Sequence, residues 1–216
     1  MNMPTIIRVK FFLIICLLTV TYTYSQDERS KTESNFKGGV RAGFTASQIS
    51  GDDLSGYNKF GGYTGAFVNF PLVKDKKWLF QFELNFIMKG SSTFSTVNAD
   101  GMLSDKYVLT LMYIESPFLV KWLPLKGIEL ELGPSLNFLC YGAEKFNGFK
   151  EPGRQPFRFY EIAVVVGVGY LFKSHLGINF RWSSSIVPVR VPNFVFNRLI
   201  KKQFNDSLAL SLYYQF

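Results

Sequence analysis

From Phe36 to Phe216 the hydropathy repeats every two residues rather than every 3.6, and that period constrains the fold more than any other feature. In "WLFQFELNFIM" (78–88), Trp78, Phe80, Phe82, Leu84, Phe86 and Met88 share one parity, while Gln81, Glu83 and Asn85 share the other. A period of two sends alternate side chains to opposite faces of an extended strand. It predicts eight strands, at 36–46, 60–70, 78–88, 108–122, 128–140, 160–172, 176–186 and 208–216. Most span 11 to 15 residues, against about 5–6 for an average strand and roughly 9–11 for one that crosses a bilayer.

The two faces differ in kind. The apolar one carries Ile128, Leu130, Leu132, Leu136 and Phe138 in the fifth run and Leu208, Leu210, Leu212, Tyr214 and Phe216 in the last, with no charge in any run. The other gathers Lys37, Arg41, Glu83, Glu115, Lys121, Glu129, Glu131, Glu161 and Arg181, four basic and five acidic. Such alternation suits a soluble sandwich or lipocalin as well as a lipid-facing barrel, so loop lengths must discriminate. The links "LVKDKKW", "LPLKG" and "KS" are short, and those at 47–59, 89–107, 141–159 and 187–207 are long. Strict short–long alternation is the pattern of a membrane barrel, with tight periplasmic turns and long outer loops. Trp78, Trp122, Tyr160, Tyr170, Phe172, Trp182 and Tyr214 fall near run ends, where interfacial aromatic girdles sit. The expected fold is all-β, an antiparallel up-and-down eight-stranded transmembrane β-barrel whose last strand pairs with its first, because closure removes the free edges.

The opening "MNMPTIIRVKFFLIICLLTVTYTYSQ" places Arg8 and Lys10 before an apolar run, with Thr23 and Ser25 at small-x-small positions ahead of Gln26. That is the layout of a secretory signal peptide, and the run is too short for a membrane helix. Residues 1–25 are therefore expected to be cleaved near Ser25/Gln26, residues 26–35 to form a flexible periplasmic lead-in and 36–216 to form the barrel. Cleavage removes two cations and no acid, taking the formal charge from +8 to +6, and leaves Cys140 as the single cysteine. An exported chain of this kind has no internal disulfide.

The chain resembles the PorT-like family of outer-membrane β-barrels, small exported proteins of Bacteroidota-type Gram-negative bacteria. The stretches that carry the likeness are "KGGVRAGFTASQISGDD" (37–53), "GGYTGAFVNFPL" (61–72), "YIESPFLVKW" (113–122), "LELGPSLNF" (130–138), "VVGVGYLF" (165–172) and "LSLYYQF" (210–216). Pro117 and the Gly133–Pro134 pair are the most distinctive. The resemblance implies an outer-membrane location, an eight-stranded barrel and no catalytic residues to transfer. The family's namesake is similar to an accessory of type IX secretion, a role that the general family pattern does not assign to this chain. Tyr214 and Phe216 resemble the terminal signal read by barrel assembly machinery.

An eight-stranded barrel is just wide enough for side chains to fill it. Arg41, Glu83, Glu115, Lys121, Glu129, Glu131, Glu161 and Arg181 are expected to pair as an ionic network in the lumen, since an unpaired charge there is costly. A narrow solute path is the alternative. Catalysis finds little support. His175, the single histidine, lies in the turn "KSHLG", far from Ser183, Ser184 and Ser185 along its strand, and a general base must reach its proton donor. One histidine and one cysteine make no metal set, and Asp52 and Asp53 supply too few oxygens for calcium. No cofactor is expected.

The loop "VPVRVPNFVFNRLIKKQFND" (187–206) interleaves Arg190, Arg198, Lys201 and Lys202 with Phe194, Phe196 and Phe204. It could bind lipopolysaccharide phosphates or a partner protein, or fold its aromatics onto the rim. The basic balance, with pI near 9.4, suits anionic lipid, and nucleic acid is not an expected partner in this compartment. The expected partners are outer-membrane lipid, lipopolysaccharide, the assembly machinery during biogenesis and a secretion or surface partner, with the chain itself a monomer. The functional expectation is a non-enzymatic structural or binding protein working through long loops, with a secretion accessory as the alternative.

Overall fold

The computed structural model describes residues 36–51, 56–73, 76–93, 106–150, 157–190 and 203–216. The expected leader and lead-in, Asp52, Asp53, Arg198, Lys201 and Lys202 lie outside these residues. The strands are β1 (Lys37–Ser50), β2 (Lys59–Pro71), β3 (Trp78–Ser92), β4 (Tyr107–Trp122), β5 (Ile128–Phe146), β6 (Phe149–Lys150), β7 (Tyr160–Leu171), β8 (Leu176–Ser185) and β9 (Phe204–Gln215). Each pairs antiparallel with its neighbours, and β1 closes the sheet on β9 from Gly39↔Gln215 to Ser50↔Phe204. The two-residue β6 only extends the hairpin arm of β5, so the wall has eight staves. The closed barrel expected from the period and the loop lengths is the observed fold.

Parity sorts the residues as lipid and lumen require. The even-numbered face looks outward, with Leu84, Leu132, Leu212 and Phe216 among its most exposed side chains. Glu83, Gln81, Lys121 and Ser135 on the opposite face are fully buried. At the short-turn end, Trp78 and Trp122 stack with ring centroids 5.9 Å apart, and the Tyr170–Phe172 and Tyr214–Phe216 pairs continue an aromatic belt. Phe216 also donates its backbone N–H to Gly38 O at 2.9 Å, which ties the last residue to the start of β1.

Several strands run further than expected at the long-loop end. β1 reaches Ser50 rather than 46, β3 reaches Ser92 rather than 88, β5 reaches Phe146 rather than 140, and β9 begins at Phe204 rather than 208. Hydropathy alternates only where the outer face meets hydrocarbon, whereas the backbone ladder continues into the aqueous layer, where either face can be polar. A register shift between Met112 and Tyr113, opposite Leu139 and Tyr141, also reverses the parity of β5, as a bulge does. Beyond it Glu144 is buried and Lys145 is exposed.

Candidate functional site: the filled lumen

The interior of the short-turn half is ionic. Arg181 from β8 lies between two carboxylates, donating from Nη1 and Nη2 to Glu83 at 2.7 Å each and from Nη2 to Glu131 at 3.0 Å. Its Nε also pairs with Glu131. A guanidinium is suited to this because its planar donors match carboxylates two at a time. Arg41 from β1 adds a second cation to Glu83 at 3.0 Å, while Lys121 from β4 meets Glu129 at 2.6 Å and Glu131 at 3.8 Å. Neutral side chains take up further positions. Asn85 donates to Glu83 at 2.7 Å, Asn179 to Glu131 at 3.1 Å and the Tyr213 hydroxyl to Glu129 at 3.0 Å.

Aromatic rings and glycines complete the packing. Arg41 lies 5.3 Å from the Phe67 ring centre and Lys121 lies 5.5 Å from that of Tyr213, within cation–π range. The wall makes room by omitting side chains. A Cβ on Gly167 would come within 2.3 Å of Glu131 Oε1, and one on Gly177 within 2.2 Å of the Tyr213 ring.

Towards the long loops the filling changes character. Ile49, Ile87, Leu109, Leu111, Tyr113, Val189 and Ala209 form a buried apolar cluster with Tyr63. Lys89 is set beside this cluster, 2.8 Å from Glu161 and 3.7 Å from Glu115, and Asn137 and Asn205 also donate to Glu161. A small cavity among Tyr63, Glu115, Arg181, Ser183 and Ser207 has a volume of about 10 Å³, space for a single water.

All eight lumen residues singled out in the sequence are buried on this inward face, seven of them joined in the pairs described above and Glu115 as the more distant partner of Lys89. Sequence reasoning missed Lys89, which lies just past the third run (78–88), and Glu144, which lies past the fifth run (128–140) and beyond the bulge that reverses parity. Arg190 requires a correction. It is not an outward loop cation but is buried at the mouth, 2.7 Å from Glu144 and 3.9 Å above the Phe157 ring centre. The physical reason is that Val189 packs into the apolar cluster and Arg190 pairs antiparallel with Gln203, just before β9. The Tyr107 hydroxyl also donates to Glu144.

His175 sits exposed in its turn, with Nδ1 3.1 Å from Gln215 O, so it joins the β7–β8 turn to the end of β9. Ser184 donates to Asp206 at 2.5 Å. Among the described residues no group of His, Cys, Asp and Glu could hold a metal ion.

A family profile described as "Outer membrane protein beta-barrel domain" matches residues 24–189. Among solved structures, the chain is similar to Neisserial surface protein A (NspA), at 12% identity and a TM-score of 0.50, over 85% of this chain and 98% of that one. It is also similar to Ail, the attachment invasion locus protein of Yersinia pestis, solved with the heparin analogue sucrose octasulfate. There the identity is 12% and the TM-score 0.48, over 84% of this chain and 99% of the other. At such identities the likeness is one of fold. No curated protein matches the sequence.

Proposed function

The chain belongs to the outer membrane protein beta-barrel domain family, and from that premise we propose that it is a non-enzymatic barrel with a blocked lumen that works by presenting its long loops outside the cell. It is an outer-membrane β-barrel of a Gram-negative bacterium. The observation that carries the reading is the filling of the lumen by the Arg181–Glu83–Glu131 cluster and, beyond it, by the Ile49–Leu109–Leu111 cluster. A barrel stopped up by paired charges and apolar side chains is a rigid scaffold, and what varies on such a scaffold is its loops.

On this reading the short turns face the periplasm and the four long loops face outward. Residues 1–25 are removed on export, which a mature mass beginning at Gln26 would verify. Tyr214 and Phe216, both exposed on the outer wall, serve as the signal taken up during assembly. Within the family we place the chain in the PorT-like branch, on "YIESPFLVKW" (113–122) and "LELGPSLNF" (130–138).

Deletion of the gene combined with a pull-down from detergent-solubilised outer membrane tests the role. A structural or binding protein leaves the export of secreted substrates intact and brings down a lipid or surface partner. A block in export, with secretion components in the pull-down, would overturn the reading in favour of a secretion accessory.

A further inference from the structure

Every charge described in the lumen has an opposite within the lumen. The outer wall at the long-loop end contrasts with this. β4 and β5 climb past the lipid band as a tongue, and β6 folds back on it. Lys145 pairs directly across the ladder with Lys150 on one side and Val108 on the other. Lys106 stands two residues before Val108 and joins the same ladder through Lys106 N to Asn147 Oδ1 and Asn147 N to Lys106 O, both 2.8 Å. Because side chains alternate along a strand, Lys106, Lys145 and Lys150 share one face, the face that lower down carries Tyr141 and the lipid-exposed side chains.

All three lysines are exposed, and none pairs with a carboxylate among the described residues. Like charges directly opposite on a ladder repel, so this face is incomplete without an anion. Its height identifies which anion. Leu130 pairs with Trp122 in the short-turn belt. The roughly 15 residues from there to Lys145 rise about 38 Å at ~3.3 Å per residue and a tilt near 40°, against an apolar band about 25 Å tall. The lysines therefore stand about 13 Å above the hydrocarbon, and their flexible stems bend back towards it.

We propose that Lys106, Lys145 and Lys150 form a binding site on the outer wall for the phosphorylated headgroup of an outer-leaflet glycolipid. Three ammonium groups on one face, continuous with the lipid-contacting surface, neutralise a phosphate while the acyl chains of the same lipid lie on the apolar wall below. The inference rests on the outer-membrane location and on the long loops facing outward. It does not depend on what the loops bind.

The test is a titration of folded, detergent-solubilised protein with diphosphorylated lipid A, so that a negative result bears on the site and not on orientation in the membrane. Each lysine contributes about 5-fold to affinity, and the variant Lys106→Gln/Lys145→Gln/Lys150→Gln binds on the order of 100-fold more weakly. The matched variant Lys126→Gln/Lys173→Gln, altered at the short-turn end, binds as the parent does. Heat-modified gel mobility shows that both variants remain folded. Unchanged affinity in the triple variant, an equal loss in the matched one, or displacement of lipid A by stoichiometric inorganic phosphate would each overturn the proposal.

Discussion

The two halves of the lumen exclude solvent by different means. Near the short turns the filling is a network of charges, Glu83, Arg181, Glu131, Arg41, Lys121 and Glu129, each paired with an opposite charge among the others. Near the long loops it is mostly a cluster of aliphatic and aromatic side chains, covered at the mouth by Arg190 and Glu144. An ionic filling tolerates the loss of one member poorly, because the survivor keeps its charge without water or partner. An apolar filling loses only transfer energy and the cost of a cavity, and its neighbours can partly collapse into the space. The first half is therefore specified residue by residue, and the second is specified chiefly by volume.

The largest effect should come from Arg181→Met, which leaves Glu83 with Arg41 alone and Glu131 with only the more distant Lys121. We expect a loss of about 4 kcal/mol, measured by urea unfolding in lipid vesicles. Adding Glu131→Gln, which leaves Lys121 its pairing with Glu129 and Arg41 its pairing with Glu83, should recover much of it, and if the double variant is no better than the single one, the halves do not differ in this way. Leu111→Ala, deep in the apolar half, should cost about 3 kcal/mol, and its cavity should be refilled by Leu111→Met at under about 1.5 kcal/mol. An Arg181-sized penalty for Leu111→Met would show that shape rather than volume governs there too. Gly167→Ala should cost about 2 kcal/mol by overpacking against Glu131, and combination with Glu131→Ala should relieve that component. At the mouth, Arg190→Gln should cost about 1.5 kcal/mol, the lower range of a hydrogen bond between charged groups. A greater loss than that of Leu111→Ala would make the clasp, rather than the cluster, the seat of closure.

The sequence revealed the ionic half better than the apolar one, for a physical reason. Where Glu83, Glu129, Glu131 and Arg181 face the lumen, lipid outside and charge inside give opposite hydropathy to alternate residues, and parity alone assigns them. In "YVLTLMYI" (107–114) both faces are apolar, so period two cannot tell Leu109 and Leu111, which look inward, from Val108 and Met112, which look outward. Strand ends faded for a related reason, since Ser47, Ser50 and Ser92 lie on ladders that extend above the hydrocarbon. The single-residue slip near Leu139 changed the face of everything after it, so Glu144 carried no readable signal. Arg190 was legible as a cation in a long segment, but its direction was set by Val189 and Gln203 through contacts that no local pattern encodes.

Conductance across a planar lipid bilayer tests the filled lumen most directly. With both halves closed, the reconstituted barrel should remain electrically silent in molar salt at potentials up to about 100 mV, while Arg181→Met paired with Leu111→Ala should begin to pass current. Steady, voltage-independent current steps from the unaltered protein would contradict the account.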